Sequence, residues 1–124
     1  MIPVNLPTSK TMQSPKWKQA IAEAQESCGS QLDVFALERA LEIIKTNFPL
    51  AAVPSIFTGP DRCEVTWANG ETLITFGGSD SKPVAFSLTR GGRISGKKTV
   101  IPVSVVALKP PLEKKATGKS TNSI

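Results

Sequence analysis

The chain has 124 residues, a formal net charge of +5 and no histidine. This length fits one domain with a single hydrophobic core. The lack of histidine excludes serine–histidine and cysteine–histidine nucleophiles, and two cysteines are too few for the common zinc sites. We therefore predict a protein that is not an enzyme and that needs no cofactor and no metal.

The first predicted element is a helix that follows an extended N-terminal arm over residues 1–13. Ser14 suits the N-cap and Pro15 the first helical position. Apolar residues then recur at three- and four-residue spacing as far as Cys28, which predicts one buried helical face. Gly29 suits a left-handed cap that ends the helix.

A second helix is predicted to start near Asp33, because apolar residues again repeat at helical spacing. Asn47 and Pro49 mark its end. Residues 49–62 contain several prolines and a glycine, which predicts an irregular segment that crosses to the next element.

A β-hairpin is predicted around Asn69-Gly70, because the period of the apolar residues changes there from 3.6 to 2. This dipeptide between two alternating runs is typical of a two-residue type I′ turn. Such a turn places three cross-strand pairs on one inward face. These pairs are Trp67 with Thr72, Val65 with Ile74, and Cys63 with Phe76.

The C-terminal region of the chain predicts further strands. Residues 84–88 alternate and form a third strand, with Phe86 expected to face the core. The β-branched run Thr99–Leu108 reads as a final strand, in which Pro102 marks an edge or a bulge. Residues 109–124 are mostly lysine, proline, serine and threonine, which predicts a disordered basic tail that contributes little to stability.

Together these elements predict an α+β fold. Two N-terminal helices pack on one face of a four- or five-stranded antiparallel sheet, and the domain extends over residues 14–108. Cys28 and Cys63 are interpreted as two buried thiols, although a disulfide between them stays an alternative. Buried thiols indicate a reducing, cytoplasmic setting. We expect neither a signal peptide nor a membrane partner, because no apolar run is long enough.

Charge is distributed unevenly along the sequence. Residues 1–81 carry a balance of −3, whereas residues 82–124 carry nine lysines and arginines and a single acidic residue, Glu113. An asymmetry of this kind predicts an anionic partner for the basic region. The candidate binding residues are Arg90, Arg93, Lys97, Lys98, Lys109, Lys114 and Lys115.

The resulting hypothesis is a small binding protein whose basic C-terminal hairpin and tail contact a nucleic-acid backbone. The alternative is a protein-binding inhibitor, antitoxin-like or anti-defence protein, which docks on an acidic surface or in a nucleic-acid channel of its partner. Trp17 lies between two lysines and is read as a core residue or as an exposed anchor for the partner. Because Phe86 is expected to face the core, the basic region offers no platform on which single-stranded bases could stack.

Overall fold

The computed structural model describes residues 9–78, 80, 82–87, 93–94, 97–98 and 101–113. Of these, residues 93–94, 97–98 and 101–102 are described by their backbone alone. Two α-helices precede the strands, which confirms the predicted α+β order. The helices are α1 (Pro15–Ser27) and α2 (Gln31–Asn47). The strands are β1 (Ser55–Thr58), β2 (Arg62–Thr66), β3 (Glu71–Phe76), β4 (Val84–Ser87), β5 (Arg93–Ile94), β6 (Lys97–Lys98) and β7 (Ile101–Val103).

Each helix begins directly after a serine in the N-cap position. Ser14 is the N-cap of α1, and Pro15 occupies its first turn, as predicted. Helix α2 begins two residues before Asp33, because the Ser30 hydroxyl accepts a hydrogen bond from the Asp33 N–H. The expected left-handed cap at Gly29 is wrong, since positive φ among the described glycines occurs at Gly59 and Gly70 instead.

Among the described residues, five strands form one antiparallel sheet in the order β1-β2-β3-β4-β7. Helix α2 packs on β2 and β3, and α1 packs on β1. We call this helix-covered side the inner face. Strand β1 lies inside the segment predicted to be irregular. Its four residues between Pro54 and Gly59 are too few to show an alternating pattern, and its pairing with β2 supplies the strand structure.

The β2–β3 hairpin forms as predicted, but its register differs by one residue. Val65 pairs with Leu73 rather than with Ile74. The loop has three residues, closed by a hydrogen bond from the Gly70 N–H to the Trp67 carbonyl, with positive φ at Gly70. This geometry matches a type I turn followed by a left-handed glycine, the standard three-residue hairpin loop. Glu71, Leu73 and Thr75 therefore face inward.

The predicted orientation of Phe86 is also wrong. Ala85 and Ser87 are the buried residues of β4, and Val84 and Phe86 lie on the outer face. Ala85 and Ser87 are small, which suits this part of the inner face. The buried Leu108 lies close to it, because the neighbouring Lys109 N–H is hydrogen-bonded to Glu71. The Ser87 hydroxyl also donates a hydrogen bond to the buried Glu71 carboxyl group, which a phenylalanine could not do.

The core lies between the helices and the inner face. The two tryptophans are almost fully buried, and each donates its indole N–H to the segment that follows α2. Trp17 donates to the Ala51 carbonyl at 3.0 Å, and Trp67 donates to the Ala52 carbonyl at 2.7 Å. These bonds hold residues 51–52 across the end of the core, where the same residues also pair with residues 111–112.

The domain extends further at both ends than the predicted boundaries 14–108. Residues Thr11–Gln13 form a 3-10 turn with Met12 buried, so this portion of the predicted arm belongs to the core. The predicted final strand ends at Val103 and is followed by a 3-10 turn over Val105–Ala107. Residues 109–113 are ordered instead of forming a tail, because they pair with Leu50–Ala52. Residues 1–8 and 114–124 lie outside the described residues.

Candidate nucleic-acid interface

The candidate basic residues can first be located through the register of the sheet. Glu71, directly after the hairpin loop, pairs with Ser87, and Ser87 pairs with Ile101. Ser87 and Ile101, which flank the segment 88–100, therefore both lie at the end of the sheet that carries the hairpin loop. We call this the loop end of the sheet.

Within the segment 88–100, β5 and β6 pair antiparallel as a separate two-stranded ladder. Arg93 is the Cα partner of Lys98, and Ile94 is the Cα partner of Lys97. Three of the predicted binding residues are thus brought together in one short hairpin. Arg90, Lys114 and Lys115 lie outside the described residues.

Lys109 reaches the same loop end from a different region of the chain. Its side chain is exposed, while its backbone is fixed on both sides. The Asn69 side chain donates a hydrogen bond to its carbonyl at 3.0 Å, and its N–H donates to the Glu71 carboxyl group. The fold therefore places Lys109 beside the base of the segment that carries Arg93, Lys97 and Lys98.

Glu71 is the residue that joins these segments, and the sequence interpretation missed it. Glu71 as a residue is 1% exposed, and its carboxyl group accepts hydrogen bonds from the Ser87 hydroxyl and from the Lys109 N–H. Ser87 immediately precedes the segment 88–100, and Lys109 begins the basic C-terminal residues. The Glu71 side chain therefore holds the first residues of both basic segments in place. The Asn69-Gly70 pair is compatible with a two-residue loop and with a three-residue loop, and only the three-residue loop turns Glu71 inward.

Trp17 is not an exposed partner anchor. Its side chain is completely buried, and its indole N–H is bonded to the Ala51 carbonyl. The core interpretation of Trp17 is therefore correct, and the alternative is wrong, because the apolar face of α1 turns this residue toward the sheet.

At the opposite end of the sheet, Asp33 joins the α1–α2 turn to the β1–β2 turn. Its carboxylate accepts the Gly29 N–H at 2.8 Å and the Asp61 N–H at 2.5 Å, and it also accepts the Ser30 hydroxyl. The Gly29 hydrogen bond, then that of Asp61, holds the pKa of this carboxyl below its ordinary value. The hydrogen bonds of Asp33 thus have a structural role, because they join two turns that are far apart in sequence.

The two cysteines are free thiols. Cys63 is buried, as predicted, and burial raises the pKa of its thiol to about 12. Cys28 is half-buried, and burial raises its thiol pKa as well. Because the thiolate is the reactive form, neither cysteine has the environment of a nucleophile.

The described ranges were also compared with the requirements of a metal site and of a membrane-spanning helix. These ranges hold no group of three or more histidine, cysteine, aspartate or glutamate side chains arranged to bind a metal ion. Neither α1 nor α2 has the length and apolar character needed to cross a membrane.

Comparison of the chain with protein-family models, with curated proteins and with solved structures finds no significant match. Any assignment of function therefore depends on the residues and the geometry described above.

Proposed function

We propose that the protein binds the phosphate backbone of a nucleic acid through the basic segments at the loop end of the sheet. The observation that carries this proposal is the hydrogen bonding of Glu71. It holds Ser87, which opens the basic segment 88–100, beside Lys109, which opens the basic C-terminus. Two basic stretches that are separate in sequence thus begin from one point of the fold.

The charge balance supports an anionic polymer as the partner. Residues 82–124 carry nine lysines and arginines against one acidic residue. Glycines at positions 91, 92 and 96 separate four of these cations, and glycine lets a backbone approach a phosphate chain closely. Dispersed phosphate contacts of this kind give affinity that falls steeply with salt. Two free thiols are compatible with a reducing compartment, which supports the cytoplasm as the location.

The proposal is tested by replacing Arg90, Arg93, Lys97 and Lys98 with alanine. We expect this variant to fold normally and to lose most of its affinity for a labelled oligonucleotide at moderate salt. The matched control replaces four exposed lysines on or beside the helices, Lys10, Lys16, Lys18 and Lys45, which changes the net charge equally. The control should retain most of the affinity, because the contacts themselves remain.

Equal losses in the two variants would mean that net charge alone drives the binding, and would contradict a site at the loop end. Absence of binding by the unaltered protein at low salt would contradict the nucleic-acid partner. In that case an acidic protein surface becomes the better candidate, and the basic residues would then act mainly on the rate of association.

A further inference from the structure

The outer face of the sheet carries three of the five phenylalanines of the chain. Alternation along β1, β3 and β4 places Phe57, Phe76 and Phe86 on the side opposite to α1 and α2. Phe57 is 57% exposed, and the other two are half-buried. We call these three residues the phenylalanine face.

The strand register fixes how the three rings are distributed. One row of Cα partners crosses four strands from Phe57 through Glu64 and Ile74 to Val84. Phe76 lies two residues beyond this row on β3, and Phe86 lies two residues from it on β4, on the other side. From ordinary strand spacings, the three residues are roughly 12–16 Å apart. The rings thus form a set of separate positions instead of one packed cluster.

Two cationic side chains lie near the phenylalanine face. Arg62 is the Cα partner of Phe76, and exposed Lys82 lies just before β4. The face also carries a carboxylate, Glu64, which forms an ion pair with Arg62 at 2.9 Å. The proposed basic segment begins two residues after Phe86, so Phe86 is the ring of this face that lies nearest to the basic residues in sequence.

From this arrangement we infer that the phenylalanine face binds the unpaired bases of a single-stranded nucleic acid. This inference rests on the proposed function, in which the basic segments bind the phosphates of the same strand. Aromatic rings on an open sheet next to a basic groove are a recurrent way to hold single strands, because every base has a flat surface that can stack. In a duplex those surfaces are already stacked on each other, so single strands should bind more tightly.

The inference is tested by titrating the full-length protein with a labelled single-stranded oligothymidine and with a duplex of equal length. The variants are Phe57→Ala, Phe57→Trp and Phe86→Ala. Stacking on one ring accounts for about a 5- to 150-fold change in affinity, so each alanine variant should lose that much for the single strand. The duplex affinity and the salt dependence should change little, because both depend on the phosphate contacts.

Phe35→Ala is the matched control, because Phe35 is an exposed phenylalanine of α2, at 41%, away from the outer face. It should bind the single strand as the unaltered protein does. Phe57→Trp should retain affinity, and its added fluorescence should be quenched by the single strand. Near-ultraviolet circular dichroism verifies that each variant is folded.

The two proposals fail in different ways. Equal affinity for single strand and duplex, with the alanine variants unchanged, would overturn the inference and leave the proposed function intact. No binding of either oligonucleotide by the unaltered protein would overturn both.

Discussion

Asp33 and Glu71 are buried carboxyl groups, and each one accepts hydrogen bonds from segments that are far apart in sequence. Asp33 joins the α1–α2 turn to Asp61, while Glu71 joins Ser87 to Lys109. A buried polar group of this kind stabilises the fold only while its partners are in place. The connections at each end of the sheet therefore depend on one side chain. Asp33 connects two turns at one end, and Glu71 connects the segments of the candidate site at the loop end.

Acid should weaken the fold through Asp33. Because its pKa is lowered in the folded state, the unfolded chain binds this proton more tightly. The contribution to stability is complete at neutral pH and is lost as the pH falls below the ordinary value of 3.8 through the lower folded value. Urea unfolding at pH 6 and pH 3 should show a larger loss for the unaltered protein than for Asp33→Asn. Equal losses would contradict this role.

A side chain at Gly77 should destabilise the fold for a steric reason. A Cβ atom at this position would lie 2.1 Å from the Leu32 carbonyl oxygen, which belongs to the backbone of α2 and cannot move freely. We expect Gly77→Ala to lower the free energy of unfolding by about 1–3 kcal/mol, as overpacking typically does. Gly29→Ala is the control, since its nearest neighbour is an Asp33 side-chain oxygen at 3.8 Å. Similar unfolding curves for both variants would contradict the close approach of helix and strand.

Among the elements, the β2–β3 hairpin has the widest consequences, because its loop sets which side chains face the core. The three-residue loop turns Glu71 and Leu73 inward and leaves Ile74 and Phe76 on the outer face. A two-residue loop would exchange these sets. The buried hydrogen bonds of Glu71 and the outward position of Phe76 thus both follow from one extra residue in the turn.

Replacing Gly70 tests this loop directly. Gly70 has a φ of 93°, a conformation that a β-branched residue adopts only with strain. Gly70→Val should lower the free energy of unfolding by about 1–3 kcal/mol. Urea unfolding followed by tryptophan fluorescence measures this change, and a neutral result would mean that the loop conformation is different.

Truncation separates the contribution of residues 110–113 from that of the residues beyond them. Removing residues 110–124 deletes the hydrogen bonds between Ala52 and Pro111 and between Glu113 and Leu50. At about 0.5–1.5 kcal/mol for each bond, the loss should be about 1–3 kcal/mol. Removing only residues 114–124 retains both bonds and should leave the melting temperature almost unchanged. If both truncations melt alike, residues 110–113 contribute nothing to the fold.

The sequence predicts the two helices, the β2–β3 hairpin and the α+β class, because long periodic runs and the Asn69-Gly70 turn signal are local features. It does not predict β1, whose strand structure comes from pairing with β2. The inward position of Glu71 and the outward position of Phe86 depend on a one-residue choice between two loop types. The partners that Glu71 has in the fold, Ser87 and Lys109, are distant in sequence, so the local pattern does not indicate which loop forms.

For the molecule as a whole, the decisive feature is that opposite charges lie in different regions of the chain. Residues 1–81 supply both helices and β1–β3 with a balance of −3, and residues 82–124 have a balance of +8. The fold anchors the basic region at the loop end of the sheet through both Ser87 and Lys109. Under the proposed function, the protein should meet an anionic polymer in one preferred orientation, because the segments that carry Arg93, Lys97, Lys98 and Lys109 start from one end of the sheet.

The salt dependence of binding to single-stranded oligothymidine tests this account most directly. The logarithm of the association constant should fall linearly with the logarithm of the salt concentration, by about 0.7 for each phosphate contact. Replacing Arg90, Arg93, Lys97 and Lys98 with alanine should therefore reduce the slope by as much as about three, while Phe57→Ala leaves it unchanged. A slope that is the same in the unaltered protein and in the fourfold variant would contradict phosphate binding by these residues.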